Sequence, residues 1–131
     1  MLIGQLGYRT DEAQVAERLA AMHSPSVQAF VALLDDAVAG CLTTSIMRVL
    51  HRPAPVGRIS MLVVDEGLRG RGIGAALIAA AEAALSATGC GLVEVTSNLR
   101  LAEAHRFYER LGYSRTSIRF ARELSAPAAC P

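Results

Sequence analysis

The most informative segment of the chain is Val63-Val-Asp-Glu-Gly-Leu-Arg69-Gly-Arg-Gly-Ile-Gly74-Ala-Ala-Leu77. An apolar run ends in an acidic turn, glycines follow at alternate positions, and an alanine-rich helical pattern begins. This order predicts a strand, a loop and a helix N-terminus. The first N–H groups of a helix lack partners and carry partial positive charge, so they bind anions. Because the glycines allow close approach and the two arginines suit phosphate oxygens, we predict a site for a pyrophosphate-bearing cofactor.

The same stretch formally matches a dinucleotide-binding fingerprint, G-x-G-x-x-A, at Gly70–Ala75, with Glu94 about 20 residues further on. That fingerprint places its first glycine directly after the strand, whereas here residues 66–69 intervene and a predicted antiparallel hairpin precedes the strand. A nicotinamide-dependent enzyme is therefore a less favoured alternative. So is a purely structural glycine turn, which does not explain the arginines. All 13 basic residues are arginine, which excludes lysine-based phosphate loops and Schiff bases.

Composition restricts the class of protein. The 131 residues, 52% hydrophobic and 19% charged, suit one globular domain, which we place at 1–131. A net charge of +1 gives no support for nucleic-acid binding, and no apolar run approaches the ~20 residues that span a membrane. The N-terminus lacks a signal-peptide pattern. Three scattered cysteines, Cys41, Cys90 and Cys130, predict no disulfide framework, no metal site and a reducing, cytoplasmic environment.

Hydrophobic periodicity and turn signals predict the order of elements. A helix at 11–22 is followed by a hairpin of strands at 27–34 and 37–50, a strand at 57–65, a helix at 72–88, a strand at 91–97, a helix at 100–111 and a strand at 114–124. The tail at 126–131 is expected to fray. Only the strand–helix–strand unit around 58–97 must be parallel, because its crossover is long. The fold class is therefore α/β (α+β), with a mixed, mostly antiparallel central sheet flanked by helices.

Side-chain periodicity also assigns faces to the two central elements. On the strand at 57–65, alternation places Ile59, Met61 and Val63 on one face and the residues between them on the other. The helix at 72–88 is predicted to turn one face, rich in small alanines, towards the sheet. That face consists of Ile73, Leu77, Ala80, Ala84 and Thr88.

Two segments of the chain carry a joint signal through their order and spacing: Leu62-Val-Val64 followed by Arg69-Gly-Arg-Gly72-Ile-Gly74, and later Ser97–Tyr113. Together they resemble the GNAT family of N-acetyltransferases. The first segment resembles the acyl-CoA-binding core of that family, whose pattern is Q/R-x-x-G-x-G/A. Further along, Ser97–Tyr113 resembles a later family motif, AH-x-FY-x-x-x-GY. The resemblance covers residues 27–124. It implies the family's acyltransferase fold, here with a shortened N-terminus, and an acetyl-CoA-dependent N-acetyltransferase of bacterial type.

The resemblance implies where acetyl-CoA would bind as a co-substrate. Backbone amides of Arg71 to Ala75 would hold the pyrophosphate, and the strand edge at Leu62 to Val64 would bind the pantetheine arm as an added strand would. In the family this strand splays from the next, here 91–97, and a backbone N–H near Leu62 or Val63 polarises the thioester carbonyl in the gap. The cofactor-binding residues implied are Leu62, Val63, Val64, Arg69, Gly70, Arg71, Gly72, Ile73, Gly74, Ala75 and Asn98.

The resemblance also implies the chemistry. A primary amine of a small molecule or peptide would attack the thioester directly, in a ternary complex, so no nucleophilic cysteine is required. Tyr108 takes the family's general-acid position and would protonate the departing CoA thiolate, a task that a phenol with a pKa of about 10 suits. The alternative for Tyr108 is a core aromatic residue. The alternative for the whole chain is a non-catalytic acyl-CoA-binding or regulatory module.

The sequence leaves more than one role open for several polar residues near these motifs. Asn98 matches a family position that contacts the cofactor arm or a nearby water. The alternative is a helix N-cap, and the two roles are compatible. His105 is interpreted as a packed structural residue. The general base is Glu94, His23, His51 or an ordered water. Glu94 is the best carboxylate candidate, because it lies on the strand at 91–97 that flanks the gap. Sequence does not fix the face that Glu94 takes, and a solvated or ion-paired role is the alternative.

The acceptor is not determined by sequence. The segments expected to shape its pocket, 22–26 and 114–117, are not strongly acidic, which disfavours a polycationic acceptor. Family chains usually open with a strand and a helix before the part that this chain resembles. Here that strand is either absent or shortened to Met1–Leu6. A missing strand would leave a sheet edge uncovered, and an uncovered edge invites pairing, so we expect a homodimer.

Overall fold

The computed structural model of the chain describes residues 12–21 and 26–125. The chain divides into two compact units, the first ending at Val95 and the second beginning at Thr96. The shortened strand expected at Met1–Leu6, the residue His23 and the frayed tail expected at 126–131 lie outside the described residues. The assignment of all 131 residues to one domain stays a prediction.

The helices and strands follow the predicted order up to residue 112. They are α1 Glu12–Ala21, β1 Val27–Leu34, β2 Ala37–Met47, β3 Val56–Val64, α2 Ile73–Ala87, β4 Leu92–Val95 and α3 Ala102–Arg110, with a short 3₁₀ turn at Glu66–Leu68. Boundaries differ from the predicted ones by at most three residues. Among the described helices, none is long and apolar enough to cross a membrane.

The described strands form one sheet in the order β1-β2-β3-β4. β1 pairs with β2 and β2 with β3 in antiparallel fashion, whereas β3 and β4 are parallel and joined through α2. Asp35 and Asp36 make the β1–β2 turn with φ angles of 51° and 64°, the left-handed values that a two-residue hairpin needs to match strand twist. The mixed, mostly antiparallel sheet and its parallel crossover are therefore confirmed.

Two strand glycines allow α2 to pack closely on the sheet. A methyl group on Gly57 of β3 would lie 2.7 Å from Leu85 Cδ1, and one on Gly40 of β2 would lie 3.0 Å from Leu77 Cδ1. The leucines of α2 therefore occupy the space that strand side chains would otherwise fill. Buried apolar residues of the helix and the sheet form the core: Ala39, Leu42, Val56, Ile59, Val63, Leu77, Ile78, Ala81 and Leu85.

The predicted buried face of α2 is wrong in part. Leu77 is buried as expected, but Ala80 is exposed, and Ile78, Ala81 and Leu85 are buried instead. The helix is alanine-rich on most sides, so its sequence offers little apolar contrast between neighbouring faces. The strand glycines decide the rotation, because they accept the two leucines.

The strand β3 carries one extra residue at Ser60. Thr43 of β2 pairs with Met61 and Thr44 pairs with Ile59, so Ser60 has no pairing partner on β2. Such a β-bulge breaks the alternation of side chains. The predicted face shared by Ile59 and Met61 is therefore wrong. Ile59 lies on the α2 side of the sheet, and Met61 lies on the opposite side.

The strand predicted at 114–124 is also wrong. Residues 113–125 form neither helix nor strand, and Ile118, Phe120 and Leu124 are 71%, 90% and 83% exposed. Alternating apolar residues favour an extended chain, but a strand needs a ladder partner to satisfy its backbone groups. No described strand pairs with this segment.

We predict that Gly57→Ala destabilises the protein by about 1–3 kcal/mol, because Leu85 is fully packed and cannot move aside without strain. Gly67→Ala is the matched control, since its added methyl group would meet nothing closer than 3.6 Å. Urea unfolding followed by circular dichroism measures both changes. Equal stability of the two variants would show that α2 does not depend on this close approach.

Candidate functional site

The parallel ladder between β3 and β4 ends early. It runs from the pair Val56–Leu92 to the pair Ile59–Val95, while β3 continues to Val64. Beyond Ile59, no described strand pairs with β3 on this side. The edge of β3 from residue 60 to 64 is therefore open, where the sequence predicts the binding of the pantetheine arm.

Hydrogen bonding shows which backbone groups point out of this edge. The Asp65 N–H donates to the Ala39 carbonyl at 2.8 Å, and strand groups alternate in direction, so the Val63 N–H also points towards β2. The N–H groups of Leu62 and Val64 point the other way, to the open edge. Of the two amides proposed for the thioester carbonyl, only that of Leu62 is available.

A pair of hydroxyl groups holds the bulge that precedes Leu62. Ser60 Oγ donates to the Thr43 carbonyl at 3.2 Å and lies 2.8 Å from Thr43 Oγ1. Thr43 is only 9% exposed, so the bulge is tied to the interior of the sheet. This pair was not predicted from the sequence. Its signal was a serine in an otherwise apolar stretch of the predicted central strand.

The chain leaves β3 through a turn that is fixed at both ends. Asp65 Oδ1 accepts a hydrogen bond from the Gly67 N–H at 3.0 Å and caps the 3₁₀ turn. Arg69 Nε donates to the Val64 carbonyl at 3.2 Å, which ties the loop to the end of the strand. Arg69 is exposed, so the remaining N–H groups of its guanidinium face solvent.

Two glycines shape the loop before α2. Gly70 and Gly72 have φ angles of 81° and 80°, and a methyl group on either would meet no atom within 4 Å. The backbone conformation, rather than crowding, therefore requires glycine here. The space in front of both residues is open to a ligand.

The N-terminus of α2 offers unpaired amides to that space. Gly72 is the N-cap and provides no side-chain cap, and the first bond within the helix runs from the Ala76 N–H to the Gly72 carbonyl at 3.0 Å. No described residue accepts a hydrogen bond from the N–H groups of Ile73, Gly74 or Ala75. These amides, at the positive end of the helix dipole, fit a pyrophosphate.

The second unit contains Asn98 and His105. Asn98 Oδ1 accepts a hydrogen bond from the Arg100 N–H at 2.9 Å, and the Asn98 carbonyl lies 2.8 Å from His105 Nε2. The N-cap of α3 is Leu101, so the N-cap alternative for Asn98 is wrong. His105 is half-buried and holds the loop before α3, which agrees with its structural interpretation.

Tyr108 lies on α3 in a small aromatic cluster. Its ring packs edge-on against Phe107 at 5.2 Å and against Tyr113 at 6.0 Å between centroids. Burial raises the pKa of the Tyr108 phenol above its ordinary value. Because no buried side-chain oxygen lacks a partner among the described residues, and none of them bonds this hydroxyl, it reaches solvent. The residue thus has a packed ring and a free proton donor.

The candidate bases are placed differently from one another. Glu94 lies on β4 beside Arg58 of β3, and both are half-buried. Glu94 forms no ion pair with a described residue, so its ion-paired alternative is wrong. His51 is exposed in the loop after β2. Among the described residues, no group of three or more His, Cys, Asp or Glu side chains could hold a metal ion.

Comparison with known proteins assigns the family. Residues 4–113 match the acetyltransferase (GNAT) family, and the chain belongs to that family. The family resemblance and the fold class expected from sequence are thereby confirmed.

One relative of known activity illustrates the match in sequence. The chain is 36% identical over 100 residues to the aminoalkylphosphonate N-acetyltransferase of Salmonella typhimurium (strain LT2), and the match covers 76% of this chain and 65% of that protein. The chain thus spans slightly less than two thirds of the length of this relative.

The solved structures share the fold. A protein described as a transcriptional regulator from Bacillus halodurans C-125 superposes with a TM-score of 0.83 at 21% identity, covering 95% of this chain and 86% of its own. An aminoglycoside N-acetyltransferase in complex with CoA superposes with a TM-score of 0.76 at 22% identity, covering 87% of this chain and 78% of its own.

We predict that the Ser60–Thr43 pair contributes about 1 kcal/mol to stability, as a part-buried hydrogen bond does. Ser60→Ala and Thr43→Val should each destabilise the fold, and the double variant should lose less than their sum. Urea unfolding of all four proteins gives the coupling energy. The control Thr116→Val, at an exposed position, should stay within about 0.5 kcal/mol of the wild type. Additive effects would exclude an energetic link across the bulge.

Proposed function

We propose that the protein is an acetyl-CoA-dependent N-acetyltransferase that transfers an acetyl group to a primary amine of a small molecule. One observation carries this proposal: the unpaired amides of Ile73 to Ala75 lie directly beyond the open edge of β3. The first feature suits a pyrophosphate and the second suits an extended amide-containing arm. Family membership and a CoA complex of a structural neighbour support the same cofactor.

The proposed donor site uses mainly backbone groups. The helix N-terminus binds the pyrophosphate, Arg71 and the free part of the Arg69 guanidinium add charge-assisted hydrogen bonds, and Leu62 and Val64 bind the arm. Acetyl-CoA, when bound, supplies an activated thioester carbonyl. The Leu62 N–H is the donor to its oxygen, and the bulge at Ser60 holds that amide in place.

We propose that the amine attacks without an acyl-enzyme and that Tyr108 protonates the CoA thiolate. The raised pKa keeps the Tyr108 phenol in its acid form at neutral pH. Burial also raises the pKa of the Cys41 thiol, which keeps it protonated and makes it a poor nucleophile. Both shifts support direct transfer with a tyrosine acid.

The acceptor that we propose is a short amine carrying a phosphonate group. The support is the Salmonella typhimurium relative, named for aminoalkylphosphonates, which is 36% identical to this chain over 100 residues.

We further propose one domain, because the family match from residue 4 to residue 113 spans both compact units. We also propose a cytoplasmic location, which the free thiols at Cys41 and Cys90 support, and a protein of bacterial type, which the Salmonella typhimurium relative supports. A homodimer is proposed from the outer edge of β1, which no described strand covers, and analytical ultracentrifugation would detect it.

Acetyl-CoA at 100 times its Kd should raise the Tm of the wild type by about 10 °C. We call the unpaired amides of Ile73 to Ala75 the anion cradle. Gly72→Ala should reduce this shift, because the added methyl group enters the space in front of the anion cradle. Gly89→Ala is the matched control: Gly89 also has a positive φ, of 91°, and open space around it, but it follows the C-terminus of α2. Differential scanning fluorimetry measures the shifts. The absence of a shift with any acyl-CoA would overturn the proposed function.

Tyr108→Phe should lower kcat by about 100-fold while leaving the Kd for acetyl-CoA unchanged. In the wild type, kcat should rise with pH as the amine loses its proton. It should fall again only at pH values above the ordinary pKa of tyrosine, because burial raises the pKa of the Tyr108 phenol. The variant should lack this alkaline fall. Tyr113→Phe is the control from the same cluster. A wild type that binds acetyl-CoA but acetylates no amine would favour the non-catalytic module.

A further inference from the structure

Two opposite charges lie side by side at the point where β3 and β4 separate. Arg58 of β3 is in register with Glu94 of β4, one residue before the last pair of the ladder, Ile59–Val95. Neighbours in register on parallel strands place their side chains on the same face of the sheet. Since Gly57 faces Leu85 of α2, Arg58 and Glu94 lie on the face opposite α2.

The two side chains do not neutralise each other. Both are half-buried, yet neither forms an ion pair or a hydrogen bond with a described residue. Opposite charges in register on neighbouring strands normally pair, and partly desolvated charges cost free energy when left unpaired. A cation and a carboxylate left free beside each other suit a ligand that carries both charges.

The position of the pair relates it to the open edge of β3. Arg58 lies two residues before the bulge at Ser60, and Leu62 lies two residues after it. The Ser60 hydroxyl bonds Thr43, so Ser60 also lies on the face opposite α2. The pair thus lies at the closed end of the open edge, four residues before the Leu62 amide that we assign to the thioester carbonyl.

We infer that Arg58 and Glu94 bind the acceptor and that this acceptor is a short zwitterion with an amine and a phosphonate. This inference rests on the proposed function and assigns its acceptor subsite. Glu94 accepts hydrogen bonds from the ammonium group, and the Arg58 guanidinium donates two hydrogen bonds to phosphonate oxygens.

The spacing of the strands sets the length of the ligand. Neighbouring strands lie about 4.8 Å apart, so two side chains in register reach groups separated by only a few bonds. An amine and a phosphonate joined by one to three carbon atoms fit this span. A long diamine offers no anion to Arg58 and leaves its charge unpaired.

The first test compares two acceptors, 2-aminoethylphosphonate and propylamine, by release of free CoA thiol. Arg58→Gln should raise the KM for 2-aminoethylphosphonate about 10- to 100-fold, because one charged hydrogen-bonded pair is lost. It should not raise the KM for propylamine, since propylamine has no anion for Arg58 to bind. The control Arg119→Gln, in the exposed segment after α3, should change neither acceptor. An equal loss for both acceptors would overturn the assignment of Arg58.

The second test addresses Glu94. Glu94→Gln should weaken both acceptors about 10-fold or more in kcat/KM, because each carries the amine. Glu123→Gln, at an exposed position, is the control and should leave both unchanged. A Glu94→Gln variant with unaltered kcat/KM for both amines would overturn its assignment.

Binding measurements separate this inference from the proposed function. Calorimetric titration of 2-aminoethylphosphonate into the CoA-bound protein should give a Kd that Arg58→Gln raises about 10-fold or more, whether or not turnover occurs. Thermal stabilisation by acetyl-CoA should be the same in all four variants, which shows that they fold and keep the donor site. Stabilisation by acetyl-CoA without any binding of 2-aminoethylphosphonate would overturn the inference and leave the N-acetyltransferase proposal standing.

Discussion

The early end of the β3–β4 ladder is the constraint on which the rest of the first unit depends. Four residues of β3 pair with β4, and then β3 continues alone to Val64. A strand edge without a partner exposes N–H and C=O groups that must find hydrogen bonds elsewhere. The bulge at Ser60, tied to Thr43, fixes which of these groups face outward. The open edge is therefore a defined surface, and a ligand arm can satisfy it.

The packing of α2 connects this edge to the anion cradle. Gly40 and Gly57 admit Leu77 and Leu85, so the helix lies close against the sheet in one rotation. Its N-terminus then follows the carboxyl end of β3, which is where parallel α/β units bind ligands. The Arg69 bond to the end of β3 spans the loop between them. Strand edge and cradle are thus held as parts of one surface.

Family and acceptor are determined by different parts of the molecule. The backbone features of β3 and α2 depend on glycines and on ladder geometry, and they agree with the GNAT family match. In our proposal, recognition of the amine depends on side chains at the closed end of the open edge, where Arg58 and Glu94 stand unpaired. A chain can therefore keep the donor site while its acceptor changes through a few side chains.

The amino-acid sequence alone predicted the order of helices and strands up to residue 112, the glycine-rich loop at 70–74 and the family motif around Tyr108. Each of these depends on residues that are neighbours in the chain. The sequence could not show that Ile59 and Met61 lie on opposite faces of the sheet, that α2 turns Ile78 towards the sheet, or that 114–124 forms no strand. Nor could it show that the Val63 amide faces β2 or that Glu94 lies beside Arg58 without pairing. These features follow from ladder register, bulges and helix rotation, which arise from contacts between residues far apart in sequence.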